Sequence, residues 1–121
     1  MNKTILVVED EAIAALELSE TLKSLGYNVP EPVDSADKVI GVLIKEQPDA
    51  VFMDINLSSF IDGVDAARRI KLLGDIPLIY LTAYNNEEIK KRAERTNPAD
   101  FLIKPVSREQ IKASLDKIFL S

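Results

Sequence analysis

The 121-residue chain contains no cysteine and no histidine. The first absence excludes disulfides and thiolate metal sites, and the second excludes a Ser-His-Asp triad and imidazole-ligated metals. Basic residues are few, 15 Lys and Arg against 20 Asp and Glu, and their densest stretch is the short IKKRAER, so the phosphate-contacting surface of a nucleic-acid-binding protein is missing. Any chemistry must therefore come from carboxylates, hydroxyls and amines, and we expect proteins or small ions as partners.

No secretory signal is visible, because no N-terminal stretch combines a basic flank, a long apolar run and a cleavage site. We therefore expect a cytoplasmic protein with no direct nucleic-acid and no membrane partner. With 46% hydrophobic and 29% charged residues, the chain can bury a core of its own, and we expect one domain over residues 1–121.

Short apolar runs alternate with longer segments of helical periodicity, which indicates a parallel sheet covered by helices on both faces. The predicted strands cover residues 4–8, 27–34, 50–54, 77–83 and 100–105. Pro30 and Pro32 cannot donate to a ladder, so the second strand is weak and belongs at the sheet edge.

Five helical segments follow these strands. The first has an apolar stripe that ends at Gly26, the second and third cover about residues 35–46 and 64–73, and the fourth begins after a predicted cap at Asn85. The last opens at Ser107, with Gln110 in the spacing of a capping box. The pattern predicts an α/β, flavodoxin-like (βα)5 three-layer sandwich whose five-stranded parallel sheet has the order 2-1-3-4-5, with helices one and five on one face and the others on the opposite face.

Polar residues stand where the predicted strands end, and in this topology ligands bind beyond those ends. The residues are Glu9, Asp10, Asp54, Thr82 and Lys104. Any one of them alone is more simply a solvated residue at a strand end, but five together indicate a site. The carboxylates belong to neighbouring strands and repel one another unless a cation lies between them. Oxygen ligands suit Mg²⁺, with Mn²⁺ as a substitute, so the sequence predicts a divalent metal site.

A hydroxyl and an ammonium group beside the carboxylates indicate that the site also handles an anion. A phosphoryl group on Asp54 would have oxygens on the metal, near the Thr82 hydroxyl and on Lys104. Asp54 is the predicted acceptor because it lies on the central strand, between the acidic pair and the Thr82 and Lys104 side. Glu9 and Asp10 are then the predicted metal ligands.

The segments ILVVEDE, VFMDINL, IYLTA and FLIKP are similar, in order and spacing, to the signature segments of the receiver domain of two-component response regulators. The resemblance extends over essentially the whole chain, as in a single receiver of the chemotaxis-regulator type. It implies that Asp54 is the phospho-acceptor and that Mg²⁺ is held by Glu9, Asp10, Asp54 and the backbone carbonyl of Asn56. It also implies that Thr82 and Phe101 form a switch pair, that Lys104 is the phosphate counter-ion, and that Lys104-Pro105 is a cis peptide.

The same resemblance implies the partners. A sensor histidine kinase or phosphotransfer protein would donate the phosphoryl group, and a downstream effector would read the changed conformation. A homodimer formed upon phosphorylation through helix four, strand five and helix five is a further possibility, against the alternative that the charged helix four is simply a solvated surface. The domain would then be no enzyme beyond catalysing its own phosphorylation and autodephosphorylation.

Some positions depart from the family pattern. The loop INLSSFIDGV is one residue longer than usual and has Ser58 and Ser59 where Met-Pro is common, and Val106 replaces a frequent phenylalanine. Tyr84 is either a loop aromatic or a residue that influences phosphoryl lifetime, and Phe101 is alternatively a plain core residue.

There are three alternative functions. A phosphatase of the haloacid-dehalogenase class wants a second Asp where this chain has Asn56, and a flavin carrier wants a phosphate-binding loop where Glu9 to Glu11 would repel phosphate. A receiver-like module that signals by docking, with phosphorylation incidental, is the remaining alternative.

Overall fold

The structure is a computed structural model and describes residues 2–55, 63–83 and 87–120. The strands are β1 (Ile5–Val8), β2 (Ala50–Asp54), β3 (Leu78–Thr82) and β4 (Asp100–Ile103). The helices are α1 (Ala12–Ser24), α2 (Val39–Glu46, preceded by a 3-10 turn at Ala36–Lys38), α3 (Gly63–Leu73), α4 (Glu87–Glu94) and α5 (Arg108–Phe119). None of the helices in these ranges is long and apolar enough to cross a lipid bilayer.

The four strands form one parallel sheet in the order β1-β2-β3-β4. Val8 pairs with Met53, Asp54 with Leu81, and Thr82 with Ile103. Because these pairs lie at the carboxyl ends of their strands, the residues that follow β1, β2 and β4 come together at one edge of the sheet. The first three strands are buried throughout, as expected for apolar strands covered on both faces.

The predicted five-stranded sheet in the order 2-1-3-4-5 is wrong as stated. The segment expected to be the second strand lies beside β1, but it contributes only two isolated parallel bridges, Thr4 with Asn28 and Val8 with Val33. Between these bridges stand Pro30 and Pro32, which have no N–H group, so the ladder cannot continue through them. The segment is therefore attached to the sheet edge without forming a strand.

The helices are distributed over the two faces as the sequence predicts. α1 and α5 cover one face, where Leu18, Leu22, Ile111 and Leu115 pack with Ile5, Val7, Phe52, Ile79 and Leu81. α2, α3 and α4 cover the other, where Val39, Leu43, Val64, Ala67, Ile70 and Ala93 pack with Leu6, Val8, Val51, Met53, Leu78 and Tyr80. A fully buried leucine of this kind contributes about 1.5–3 kcal/mol to stability.

α1 ends where the sequence predicts, because Gly26 follows it with φ +96°, a left-handed conformation that suits glycine. Its buried face contains one polar residue among apolar ones, Ser19, which is 4% exposed. The Ser19 hydroxyl has no hydrogen-bond partner among the residues that the structure describes. An unpaired hydroxyl in a buried position lowers stability.

The predicted capping box of the last helix is confirmed. The Ser107 hydroxyl accepts a hydrogen bond from the backbone N–H of Gln110 at 3.1 Å, and the Gln110 side chain accepts one from the N–H of Ser107 at 2.9 Å. These two bonds satisfy N–H groups that a helix start leaves without partners, so α5 has a fixed beginning. The predicted cap of the fourth helix at Asn85 lies outside the described residues.

Asp100 at the start of β4 connects that strand to α5. Its carboxylate accepts hydrogen bonds from the Ser114 hydroxyl at 2.5 Å, the Phe101 N–H at 2.8 Å and the Lys117 ammonium group at 3.2 Å. Burial alone would raise the pKa of Asp100, but these hydrogen bonds and the charge of Lys117 outweigh burial, and the pKa lies below its ordinary value of 3.8.

Candidate functional site

Three carboxylates meet at the carboxyl ends of β1 and β2. Glu9 and Asp10 follow β1 directly, and Asp54 is the last residue of β2, the next strand in the sheet. One oxygen from each of the three side chains lies within 4.8 Å of the others. Glu9 is 3% exposed and Asp54 is 5% exposed, so two of these charges are nearly removed from water. The convergence predicted from the sequence is confirmed for all three residues.

Lys104 supplies a positive charge to this cluster. Its ammonium nitrogen lies 2.8 Å from Glu9 Oε2 and 3.3 Å from Asp54 Oδ2. Burial by itself would lower the pKa of Lys104, but the hydrogen bond to Glu9 and the negative charges of Asp54 and Glu9 outweigh burial and raise the pKa above its usual value of 10.5. Lys104 is therefore a fixed cation between two carboxylates.

Lys104 and Pro105 follow the end of β4 directly. The Lys104-Pro105 peptide bond is cis, as predicted. The N–H of Lys104 also donates to the carbonyl oxygen of Thr82 at 2.7 Å, which holds the end of β4 against the end of β3.

Glu9 is engaged through both carboxylate oxygens. Oε2 accepts from Lys104, and Oε1 accepts a 3.1 Å hydrogen bond from the backbone N–H of Glu11. Three carboxylates and one ammonium group leave two net negative charges in the site, which a divalent cation would balance. The donors are all oxygens, the ligand type that Mg²⁺ and Mn²⁺ prefer. The residues present therefore fit such an ion.

Thr82 and Phe101 lie on the neighbouring strands β3 and β4. Thr82 is fully buried at the end of β3. Phe101 is half-buried, and its ring centroid lies 6.3 Å from that of Tyr80, its register partner on β3. Since side chains alternate along a strand, Thr82 is on the same face of the sheet as Tyr80, and therefore as Phe101. The structure thus brings the expected switch pair together on one face.

An open cleft of about 460 Å³ reaches Glu9 and Lys104 from the side of the sheet covered by α1 and α5. Glu9 and Lys104 line its inner part, and Pro105 and Val106 line the side formed by the turn between β4 and α5. Of the charged residues of the cluster, the cleft therefore exposes Glu9 and Lys104.

Residues 5–116 match the family described as response regulator receiver domain. The chain belongs to this family. It is therefore a receiver domain of the two-component type, and the sequence-based identification is confirmed.

Curated relatives are response regulators of bacteria. The transcriptional regulatory protein PdtaR of Mycobacterium tuberculosis is 30% identical over 105 residues, which are 87% of this chain and 51% of PdtaR. The phosphate regulon transcriptional regulatory protein PhoB of Pseudomonas aeruginosa is 31% identical over 121 residues, which are 98% of this chain and 52% of PhoB. The receiver domain thus spans about half the length of these relatives.

Solved structures have the same fold. The signal receiver domain of a modulated diguanylate cyclase from Desulfovibrio desulfuricans superposes with a TM-score of 0.93 at 32% identity, covering 99% of this chain and 95% of that one. The receiver domain of the sensor histidine kinase PA1611 from Pseudomonas aeruginosa gives 0.87 at 27% identity and covers both chains fully, 100% of each. That structure has a magnesium ion coordinated in its active site cleft.

The sequence places Gly63 in the turn before the third helix, but its close approach to the backbone of Asp54 appears only in the structure. It opens α3, and a Cβ atom at this position would lie 2.4 Å from the carbonyl oxygen of Asp54 and 2.8 Å from the Cα of Ile55. Its N–H donates to the carbonyl of Ile55 at 3.1 Å. Only the absence of a side chain lets α3 begin this close to the backbone of the acidic cluster. The signal in the sequence was a glycine at the start of a helix. Glycine is more usual after a helix end, so its position here indicates a close approach of another segment.

Several predicted features of the receiver domain fall outside the described residues. These are the metal-binding carbonyl of Asn56, the loop serines Ser58 and Ser59, and Tyr84. Their roles stay predictions from the resemblance.

Proposed function

We propose that Asp54 accepts a phosphoryl group from a phosphohistidine of another protein in a Mg²⁺-dependent reaction, and that the receiver domain signals through the resulting change in conformation. The observation that supports this most directly is the position of Asp54, a nearly buried carboxylate within 4.8 Å of two others and 3.3 Å from an ammonium group.

The contacts within the cluster favour Asp54 over its neighbours as the nucleophile. Glu9 uses one oxygen for Lys104 and the other for the backbone of Glu11, so its carboxylate is tied on both sides. Asp54 lies on β2 between β1 and β3, so groups from both neighbouring strand ends surround it. A carboxylate in this position can act as a phosphoryl acceptor, as in aspartyl-phosphate intermediates.

The metal would be held by Glu9, Asp10 and Asp54, with the backbone carbonyl of Asn56 as the predicted further ligand and Mn²⁺ as a substitute for Mg²⁺. When bound, it would neutralise charge on the transferring phosphoryl oxygens. The metal-bound relative named above supports this assignment.

The protein's own groups have defined roles in the proposed transfer. A carboxylate oxygen of Asp54 forms the new bond to phosphorus while the bond from phosphorus to the donor imidazole breaks. Lys104 neutralises one phosphoryl oxygen, and the Thr82 hydroxyl donates to another. Since these 121 residues contain no histidine, the donor phosphohistidine lies outside them, in a sensor histidine kinase or a phosphotransfer protein.

The response would follow from Thr82. Drawn toward the phosphoryl group, its side chain would leave space that Phe101 enters, which shifts a pre-existing equilibrium between two conformations. A downstream effector, or a second copy of the chain, would bind the surface of α4, β4 and α5. In this proposal the receiver domain covers residues 1–121 and catalyses only its own phosphorylation and dephosphorylation.

Intact-mass measurement after incubation with acetyl phosphate and Mg²⁺ tests the proposal. We expect one phosphoryl adduct on the native protein and on Asp75→Asn, a control that changes a fully exposed carboxylate, and no adduct on Asp54→Asn or without divalent metal. An adduct that persists in Asp54→Asn would refute the assignment. No adduct with acetyl phosphate or with phosphohistidine donors would favour the docking module that signals without phosphorylation.

A further inference from the structure

A buried hydrogen-bonded pair connects the middle of the sheet to the end of α4. Tyr80 is fully buried within β3, and its hydroxyl oxygen lies 2.5 Å from the hydroxyl oxygen of Thr96, a residue that is 7% exposed. The Thr96 hydroxyl also donates to the backbone carbonyl of Ala93 at 2.6 Å.

The direction of the two hydrogen bonds follows from their chemistry. A carbonyl oxygen only accepts, so the single hydroxyl proton of Thr96 is used for Ala93. The Tyr80 hydroxyl must then be the donor to Thr96. Both hydroxyls are satisfied in a region without water access, where a lost partner is costly.

Thr96 lies in the turn that directly follows α4. Its N–H donates to the carbonyl of Ala93 at 3.0 Å, and Asn97 follows with φ +55°, a left-handed conformation that ends helical geometry. Through Thr96, Tyr80 therefore fixes the C-terminal end of α4 over the centre of the sheet.

The ring of Tyr80 contacts the expected switch residue at its other side. Tyr80 and Phe101 are register partners on β3 and β4, and their ring planes are inclined by 59° at a centroid distance of 6.3 Å. Thr82 is two positions further along β3 on the same face. One side chain thus joins the region of the switch pair to the end of α4.

We propose that Tyr80 is a positioning residue that transmits the state of Thr82 and Phe101 to the C-terminal end of α4. The proposal rests on the proposed function, because it supposes that Phe101 changes position when Asp54 is phosphorylated. A displaced Phe101 ring changes the packing against Tyr80, and the hydroxyl of Tyr80 is bound to Thr96, so the change reaches α4 as a strained or broken hydrogen bond. A discrete bond of this kind has two states, which is what coupling between separated sites requires.

A thermodynamic cycle in the unmodified protein tests the connection independently of phosphorylation. Thr96→Val and Phe101→Leu are made singly and together, in the native background and with Tyr80→Phe, which keeps the ring and removes only the hydroxyl. With Tyr80 present, we expect the effect of the double variant on the unfolding equilibrium constant to differ by at least about twofold from the product of the two single effects. With Tyr80→Phe, we expect the two effects to be additive in free energy. Additivity in both backgrounds, or equal coupling in both, overturns the proposal.

Hydrogen exchange provides a readout that a merely stabilising contact would not change. The amides of Arg95, Thr96 and Asn97 donate to the carbonyls of Lys91, Ala93 and Glu94, so their exchange reports on the last turn of α4. We expect beryllofluoride with Mg²⁺, a stable mimic of the phosphoryl group, to change these rates in the native protein and in Thr96→Ser, which keeps the hydroxyl. In Tyr80→Phe the change should fall to less than half.

Two results would contradict this expectation: a full response in Tyr80→Phe, or no response of these amides in the native protein. Mass measurement with acetyl phosphate on the same variants shows separately whether Asp54 is modified. A failure of the proposed function would therefore appear as a missing adduct, and a failure of the Tyr80 proposal as an unchanged exchange response or an additive cycle. If Thr96→Val does not fold, the exchange comparison of Tyr80→Phe with Thr96→Ser still decides.

Discussion

Replacing Gly63 by alanine should destabilise the receiver domain, although alanine is the better helix former. The added Cβ would lie 2.4 Å from the carbonyl oxygen of Asp54, and the gap must open by about 0.6 Å to reach even the 3.0 Å that real Cβ atoms rarely go below. The neighbouring atoms belong to the backbone of Asp54 and Ile55, so no side chain can rotate away. Overpacking of this kind costs about 1–3 kcal/mol.

The gain from helix propensity, at most about 1 kcal/mol, is smaller than this cost. We expect Gly63→Ala to lower the free energy of unfolding by about 1–2 kcal/mol in urea denaturation, as a lower midpoint with an unchanged slope. Since the strain falls on the backbone of Asp54, the metal-dependent phosphoryl adduct should also form more slowly.

Gly41→Ala is the matched control. Gly41 lies within α2, and a Cβ atom there would have no heavy atom within 4 Å outside its own helix. The same substitution should therefore stabilise the protein by about 0.5–1 kcal/mol and leave the adduct rate unchanged. If Gly63→Ala is as stable as the native protein, the close approach of α3 to Asp54 does not constrain the fold, and the reasoning is refuted.

Three further predictions concern polar groups. Ser19→Ala should raise the free energy of unfolding by about 1 kcal/mol, because it removes a buried hydroxyl without a partner among the described residues; a loss of stability in urea denaturation would contradict this. Asp100→Asn should lower the free energy of unfolding by about 1 kcal/mol at pH 7. The hydrogen bond from Ser114 contributes to the lowered pKa of this carboxyl, so the folded state favours the charged carboxylate that the variant lacks. A carboxyl of this kind stabilises the fold above its ordinary pKa of 3.8, so the difference between native and variant should shrink as pH falls through the lowered pKa, and a pH-independent difference would exclude this cause. Lys104→Gln leaves the buried Glu9 without its cation and should cost about 1–3 kcal/mol, a value reduced because Lys104 is partly exposed. Thermal unfolding with and without Mg²⁺ checks this, since Mg²⁺ should raise the unfolding temperature of the variant more than that of the native protein. Equal increases would contradict the view that Lys104 and the metal neutralise the same carboxylates.

The sequence was most informative where the determinants are local. The capping box of Ser107 and Gln110 is complete within four residues, and the stop at Gly26 depends on one backbone conformation. The polar residues at the strand ends could be found because parallel strands bring their carboxyl ends to one edge, whatever the details of packing. For the same reason Glu9, Asp10 and Asp54 could be predicted to meet.

The prediction was wrong where local and tertiary preferences compete. The sequence predicts a strand at the sheet edge beside β1 in the segment containing Pro30 and Pro32. The segment does lie at that edge, but its two missing N–H groups leave only isolated bridges there. Apolar runs indicate which segments can be strands, but they do not show how many backbone hydrogen bonds each segment can make to its neighbour.

The sequence by itself therefore determined the family, the covering of the two sheet faces and the identity of the charged residues at the site, because these depend on the order of apolar and polar residues along the chain. Only the tertiary structure decided which atoms meet: the double engagement of Glu9, the approach of Gly63 to Asp54, and the hydrogen bond of Tyr80 to Thr96. These contacts join different elements of the fold. A shift of a few tenths of an ångström between two elements makes or breaks them, and the packing of the whole core sets the positions of those elements.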